Sequence, residues 1–168
     1  KVALWMEALE PGKPLSFLEH RIQVGNSLLG TTRPLIAAGI PDDAYKPIQG
    51  DDKKTSSALK KRNKNERSGA QPIFETFEET SVNVLPDRFL QLNQLQDDSP
   101  EAIHHKEKRL AALLASEEYT LEALLADAWC AAFVWPKVPE TVKPITQADL
   151  LKLRSSKHMP AEQRSEEH

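Results

Sequence analysis

The chain has 168 residues, 39% of them hydrophobic and 28% charged, with a formal net charge of -3. That length suffices for one domain with a core of its own, while no apolar run is long enough to cross a membrane and nothing reads as a signal peptide, so a cytoplasmic location with no membrane partner is expected. The single cysteine, Cys130, excludes an internal disulfide framework and a cysteine zinc site and points to a reducing compartment.

The first residue is Lys1, and "KVALWMEAL" reads as a helix already under way, with Val2, Leu4, Trp5 and Leu9 roughly on one side and no N-cap before it. The simplest expectation is that the chain is cut from something larger. Gly12 and Pro14 stop the helix. Leu15, Phe17 and Leu18 are expected inside. Arg21 to Val24 alternate polar and apolar residues as a strand with one better-buried face would, and the run stops at Gly25, followed by Asn26 and Ser27. Helix, turn and strand make one unit of an α/β sheet. Gly-Asn-Ser is also ordinary turn chemistry, so a purely structural turn stands beside any role for it.

Residues 31–98 read as an irregular, charged segment. Three prolines and two glycines break "TTRPLIAAGIPDDAYKPIQGDD", leaving a short helix at Pro34 to Ala38. A basic run follows, in which Lys53, Lys54, Lys60, Lys61, Arg62, Lys64 and Arg67 are opposed only by Glu66. Such a run either contacts phosphates or is a solvated surface, and with no aromatic residue interleaved it does not indicate base stacking. "IFETFEETSVNVLPD" is acidic, with Ile73, Phe74 and Phe77 as apolar anchors.

Residues 99–154 are helical in pattern. Ser99 is a good N-cap and Pro100 suits the first position of a helix running to about Ala115, with Ile103, Leu110, Leu113 and Leu114 as its apolar side. Leu121, Leu124, Leu125, Ala128, Trp129, Ala132 and Phe133 then fall at helical spacing until Pro136. Thr146 can cap a last helix, with Asp149 placed to return the bond. Residues 155–168 are polar and aperiodic and read as a disordered tail. Glu101 and His104 form half of a di-iron carboxylate signature, but no second half is evident and no metal site is expected. His20 reads as structural, Trp129, Phe133 and Trp135 as core, and Cys130 as inert on a core helix.

Val2 to Gly30 closely resembles the large class I adenine-specific DNA methyltransferases, the methylase regions of type IIG restriction–modification enzymes and of BREX- and DISARM-type phage-defence methylases. In these a helix of the form "VALWLE" leads into "PGKPLSFLDHHI" and then "GNSLLG"; here the same elements stand as Val2 to Glu7, Pro11 to Ile22 and Gly25 to Gly30. "LADAWCAAFVWPK", Leu125 to Lys137, looks like a helix those proteins carry inside a long insertion. The resemblance implies a mostly α-helical α/β fragment: one helix–strand unit of a Rossmann-like, S-adenosylmethionine-dependent methyltransferase in residues 1–30, plus a helical insertion. It implies that Gly25 lets backbone and cofactor adenine approach, that Asn26 accepts a hydrogen bond from the adenine amino group, and that Ser27 and Leu28 line the ring. Double-stranded DNA and the remainder of the methyltransferase chain are the implied partners. The family's Asn-Pro-Pro-aromatic motif, which binds the flipped adenine, is missing, since no Asn-Pro pair occurs. The chain therefore reads as a segment between two parts of one active site, inactive alone. The rival is a helical interaction module whose basic run is a nucleic-acid-tethering loop.

Overall fold

A computed structural model describes residues 2–7, 17, 21–22, 25, 28–75, 84–96, 98–139 and 143–156. Among them every regular element is helical: α1 (Val2–Glu7), α2 (Arg33–Ala37), a 3-10 turn (Asp42–Tyr45), α3 (Lys53–Glu75), α4 (Val84–Gln94), α5 (Pro100–Leu114), α6 (Glu117–Val134) and α7 (Gln147–Ser156). The described residues hold no strand, which overturns the α/β expectation and its Rossmann-like helix–strand unit. Arg21 lies in a turn, Ile22 is irregular and Gly25 sits in a bend. Four alternating residues say nothing about a neighbour, and a strand needs one to satisfy its N–H and C=O groups. No described segment supplies it. The first helix does form, and Phe17 is buried. Leu9, Gly12, Pro14, Leu15, Leu18, His20, Gln23 and Val24 lie outside the described residues, as do the apolar anchor Phe77 and the tail from 157 onward.

The chain divides into two compact units, residues 1–26 with 82–120 and residues 27–81 with 121–168. In the first, Phe17, Leu92 and Leu110 form the centre, with Phe89, Leu95, Ile103 and Leu114 packed on it. The start of α5 is as the sequence indicates: the Ser99 hydroxyl accepts the Ala102 N–H at 3.1 Å and Pro100 takes the first helical position. Lys106 is buried on α5 and donates from Nζ to the Leu95 carbonyl at 3.1 Å. A cation there satisfies an orphan carbonyl at the C-terminal end of α4.

In the second unit, Ile40, Ala44, Tyr45, Leu125, Ala128, Trp129, Ala132 and Leu150 form the core. Leu125, Ala128, Trp129 and Ala132 are the inward stripe of α6, at i, i+3, i+4 and i+7. Trp129 donates from Nε1 to the Gly39 carbonyl at 3.0 Å and its ring lies 4.7 Å from that of Phe133. Gly39 has a φ of +84°, and a Cβ there would sit 2.6 Å from Gln147 Oε1, so both backbone and space demand glycine. Thr146 precedes α7, and its N–H and hydroxyl both reach Asp149 Oδ2, at 3.0 and 3.1 Å, as the sequence indicates.

Residues 53–75, expected within an irregular segment, form one 23-residue helix. The tethering loop of the rival reading is therefore helical. Residues 84–94 of the same segment are helical too.

Candidate functional site

The basic run is carried on α3, whose start is fixed locally. The Asp52 carboxylate accepts the Thr55 N–H and the Thr55 hydroxyl, both at 2.7 Å. This is N-cap chemistry, and the two bonds from Thr55 hold the Asp52 carboxyl below its usual value. Ala, Leu, Lys, Arg and Glu then favour the helix, and Arg62 Nε reaches Glu66 Oε1 one turn on at 2.6 Å.

The inward stripe of α3 is Ser56, Leu59, Asn63 and Glu66, spaced i, i+3, i+7 and i+10. Only Leu59 is apolar; it packs on the core. Asn63 is fully buried. Its Nδ2 donates to the Ile40 carbonyl at 2.9 Å and lies 3.4 Å from Asp42 Oδ1, while its Oδ1 accepts the Gln147 N–H at 3.0 Å. The Tyr45 hydroxyl is 2.7 Å from the Ile145 carbonyl and 3.2 Å from Asn63 Oδ1; its one proton favours the nearer acceptor. Burial, and then the negative charges of Glu66 and Asp149, hold the Tyr45 phenol well above its ordinary value. Gln147 closes the ring by accepting the Ile40 N–H at 2.8 Å.

Glu66 Oε2 accepts the Ala148 N–H at 2.9 Å. Asn63 and Glu66 thus satisfy two orphan N–H groups at the start of α7. Partial burial works to raise the Glu66 carboxyl, but the Ala148 N–H and the Arg62 guanidinium outweigh it and leave the group below its usual value. At the start of α3, Asp51 accepts the Lys137 N–H at 2.9 Å and the Ile48 N–H at 3.0 Å. The Lys137 side chain has no exposure; its Nζ lies 3.5 Å from Asp51 Oδ2 and donates to the Phe133 and Trp135 carbonyls, both at 3.3 Å. The N–H bond from Lys137 is the main reason the Asp51 carboxyl sits below its usual value. These bonds fix the rotation of α3 about its own axis within its unit.

That rotation decides which cations face water. Lys53, Lys54, Lys60, Lys61 and Lys64 are all exposed. At about 100° per residue they span roughly 120° of arc, and Lys53, Lys60 and Lys64 line up over about 16 Å of axis. Lys60, Lys61 and Lys64 make no ion pair among the described residues. The other two basic residues have acidic neighbours. Arg62 is taken by Glu66, and Arg67 Nη1 lies 3.9 Å from Asp42 Oδ1. Five of the seven expected DNA contacts therefore share one face.

Of the four residues expected at the cofactor, two are described, Gly25 and Leu28. Asn26 and Ser27 lie outside the described residues. Gly25 is exposed, nothing lies within 4 Å of where its Cβ would stand, and Leu28 is 94% exposed. Gly25 and Leu28 by themselves form no cradle that an adenine ring would fill.

Elsewhere, Glu101 is exposed and His104 Nδ1 faces Glu107 Oε2 at 3.3 Å. No group of three or more His, Cys, Asp or Glu is placed to hold a metal among the described residues. The Cys130 thiol is raised by burial and then by Asp127, against the direction a nucleophile needs. Asn63, Gln147 and Lys137, which orient the lysine face, escape a reading of the sequence by apolar period; Asp52 with Thr55 and Arg62 with Glu66 are the signals that mark α3. No family model, curated protein or solved structure matches the chain.

Proposed function

We propose that the chain contacts double-stranded DNA through the lysine face of α3, as a segment of a protein that transfers methyl from S-adenosylmethionine to adenine N6. The observation that carries the contact is the single exposed stripe of Lys53, Lys54, Lys60, Lys61 and Lys64, on a helix whose opposite face is tied down by Asn63 and Glu66. Ammonium groups on a rigid rod meet phosphates without paying to order a loop. They read no bases, so the contact is sequence-independent. Methyl transfer is supported by the resemblance of Val2 to Gly30 and Leu125 to Lys137, and by that alone. The recognition sequence belongs to residues other than these.

The test is the salt dependence of binding to a fluorescein-labelled duplex. Each phosphate contact adds about 0.9 to the slope of log affinity against log salt, so Lys60→Gln, Lys61→Gln and Lys64→Gln together flatten it by about two to three units. Cognate and non-cognate duplexes weaken equally. Because the three side chains are exposed, thermal stability changes by less than about 0.5 kcal/mol. An unchanged slope returns the stripe to plain solvated surface. The methylation half is tested in the intact protein carrying this segment: adenine-containing DNA gains label from tritiated S-adenosylmethionine, and absence of label removes it.

A further inference from the structure

The first unit has a groove of about 490 Å³ between α4 and α5, lined by Arg88, Gln91, Leu92 and Gln94 of α4, Leu95 just past its end, and Arg109, Ala112 and Leu113 of α5. Its floor and its rim differ in chemistry. Leu92 and Leu113 are 4% and 7% exposed, already closed into the core. They offer little further area, so an apolar peptide segment would gain little by settling there. What the groove presents to a ligand is the rim: two guanidiniums and two carboxamides, all on exposed residues.

The rim is short of negative charge. Arg109 has His105, Lys106, Ala112 and Leu113 at the helical neighbour positions i-4, i-3, i+3 and i+4, none of them acidic, and makes no ion pair among the described residues. Gln91 and Gln94 make no side-chain hydrogen bond among the described residues. Arg88 has one acidic partner, Glu118, at 3.5 Å, with the two side chains 43% and 46% exposed. A pair that open to water is weak and exchanges readily for a better acceptor. The rim therefore carries two guanidiniums against one carboxylate, together with two amide donors. Planar guanidinium forks match the oxygens of a phosphate two at a time, which an ammonium does not.

We propose that this groove holds a phosphodiester of a nucleic-acid backbone, with Arg109 and Arg88 as the charged grips and Gln91 and Gln94 as neutral donors. The source of the phosphate rests on the DNA-contact reading of α3, but the groove lies in the other unit and is separable by experiment. Where the α3 face uses point charges, the groove uses geometry, so the two respond differently to conservative change.

The experiment is fluorescence anisotropy of the full chain with a 20-base-pair labelled duplex, over a range of chloride concentration. Arg88→Gln with Arg109→Gln weakens binding about five- to tenfold and lowers the salt slope by one to two units, about 0.9 for each phosphate no longer neutralised. Arg109→Lys restores slope but not affinity, because the charge returns without the fork. Gln91→Glu with Gln94→Glu places negative charge in the groove and weakens binding without touching either arginine. If affinity and slope survive both double variants while the α3 lysine variant loses slope, the groove proposal is overturned and the α3 reading stands. If the groove variants lose affinity and the α3 variant does not, the groove is kept and the α3 reading falls. Inorganic phosphate displacing the duplex far better than chloride at equal ionic strength would make this a site for free phosphate and overturn the commitment to nucleic acid.

Discussion

The two units solve the same packing problem with different chemistry. The first joins α4 to α5 through Phe17, Leu92 and Leu110, flanked by more leucine, isoleucine and phenylalanine. The second has a core of aliphatic residues with Tyr45 and Trp129, but the seam between α3 and α7 within it is polar: Asn63, Tyr45, Gln147 and Glu66 hydrogen-bond to backbone groups of Ile40, Ile145 and the α7 start. An apolar seam loses stability by degrees as area is removed. A buried polar seam fails in steps, because each deleted group strands the donors and acceptors it served. It also fixes helix rotation more tightly, since hydrogen bonds are directional and leucine contacts are not.

The sharpest way to break that contrast is Asn63→Ala. It leaves the Ile40 carbonyl and the Gln147 N–H buried without partners, at about 1–3 kcal/mol each, so about 3 kcal/mol is lost. Native-state hydrogen exchange would show the loss at α7 amides and leave α5 protected; equal loss in both would mean that the units do not differ in this way. Leu110→Ala is the counterpart. It removes apolar volume from the smaller core and costs about 2–2.5 kcal/mol, the low end for a leucine, read as faster exchange in α4 and α5 with α7 unchanged.

Acid titration gives the smallest effect, and comparison with a Glu66 variant isolates the share of the polar seam. The Glu66 carboxyl is depressed in the folded state, so its contribution to stability is fully present above the ordinary value of 4.5 and is lost as pH falls through the depressed one. Urea unfolding followed by tryptophan fluorescence should therefore be level above pH 5 and weaken below about 4.5. Glu66→Gln keeps an acceptor for the Ala148 N–H and flattens the decline. The change is modest, because Arg62, its charged partner, is 46% exposed and screened by water. A decline of the same steepness in the variant would place the acid sensitivity elsewhere, with Asp51 the next group to examine.

The helices α5, α6 and α7 are legible because their signals are of the ordinary kind. Ser99 before Pro100, the stripe from Leu125 to Ala132, and Thr146 with Asp149 each follow from spacing or capping. The helix α3 is not legible that way. Its inward positions are Ser56, Leu59, Asn63 and Glu66, so a search for apolar period finds one hit in four. The lysine composition marks a cationic segment correctly, yet only the fold shows that Arg62 pairs with Glu66 and that Arg67 lies near Asp42. At the described residues of the strand expected over Arg21 to Val24, Arg21 and Ile22, no strand is seen, for the opposite reason: local alternation is present, but pairing is a long-range property that four residues do not encode. Arg88 and Arg109 are 21 positions apart, and nothing in the sequence announces that they flank one groove.

The bonds from Asn63 to the Gln147 N–H and from Glu66 to the Ala148 N–H join groups 84 and 82 positions apart. On a ribosome this separation becomes a delay. At about 5–20 residues per second, α3 is complete several seconds before the start of α7 has been made. Through that interval Asn63 Oδ1 and Glu66 Oε2 lack the N–H groups of Gln147 and Ala148, while the bonds from Asn63 to the Ile40 carbonyl and from Arg62 to Glu66 can already form, and the helix relies on these, its own propensity and its Asp52 cap. The 82–120 stretch, made in the meantime, can assemble α4 against α5 with partners that are mostly close in sequence. Synthesis therefore orders the assembly: the unit with the leucine core closes first, and the unit bearing the lysine face acquires its final form only when the last helix arrives.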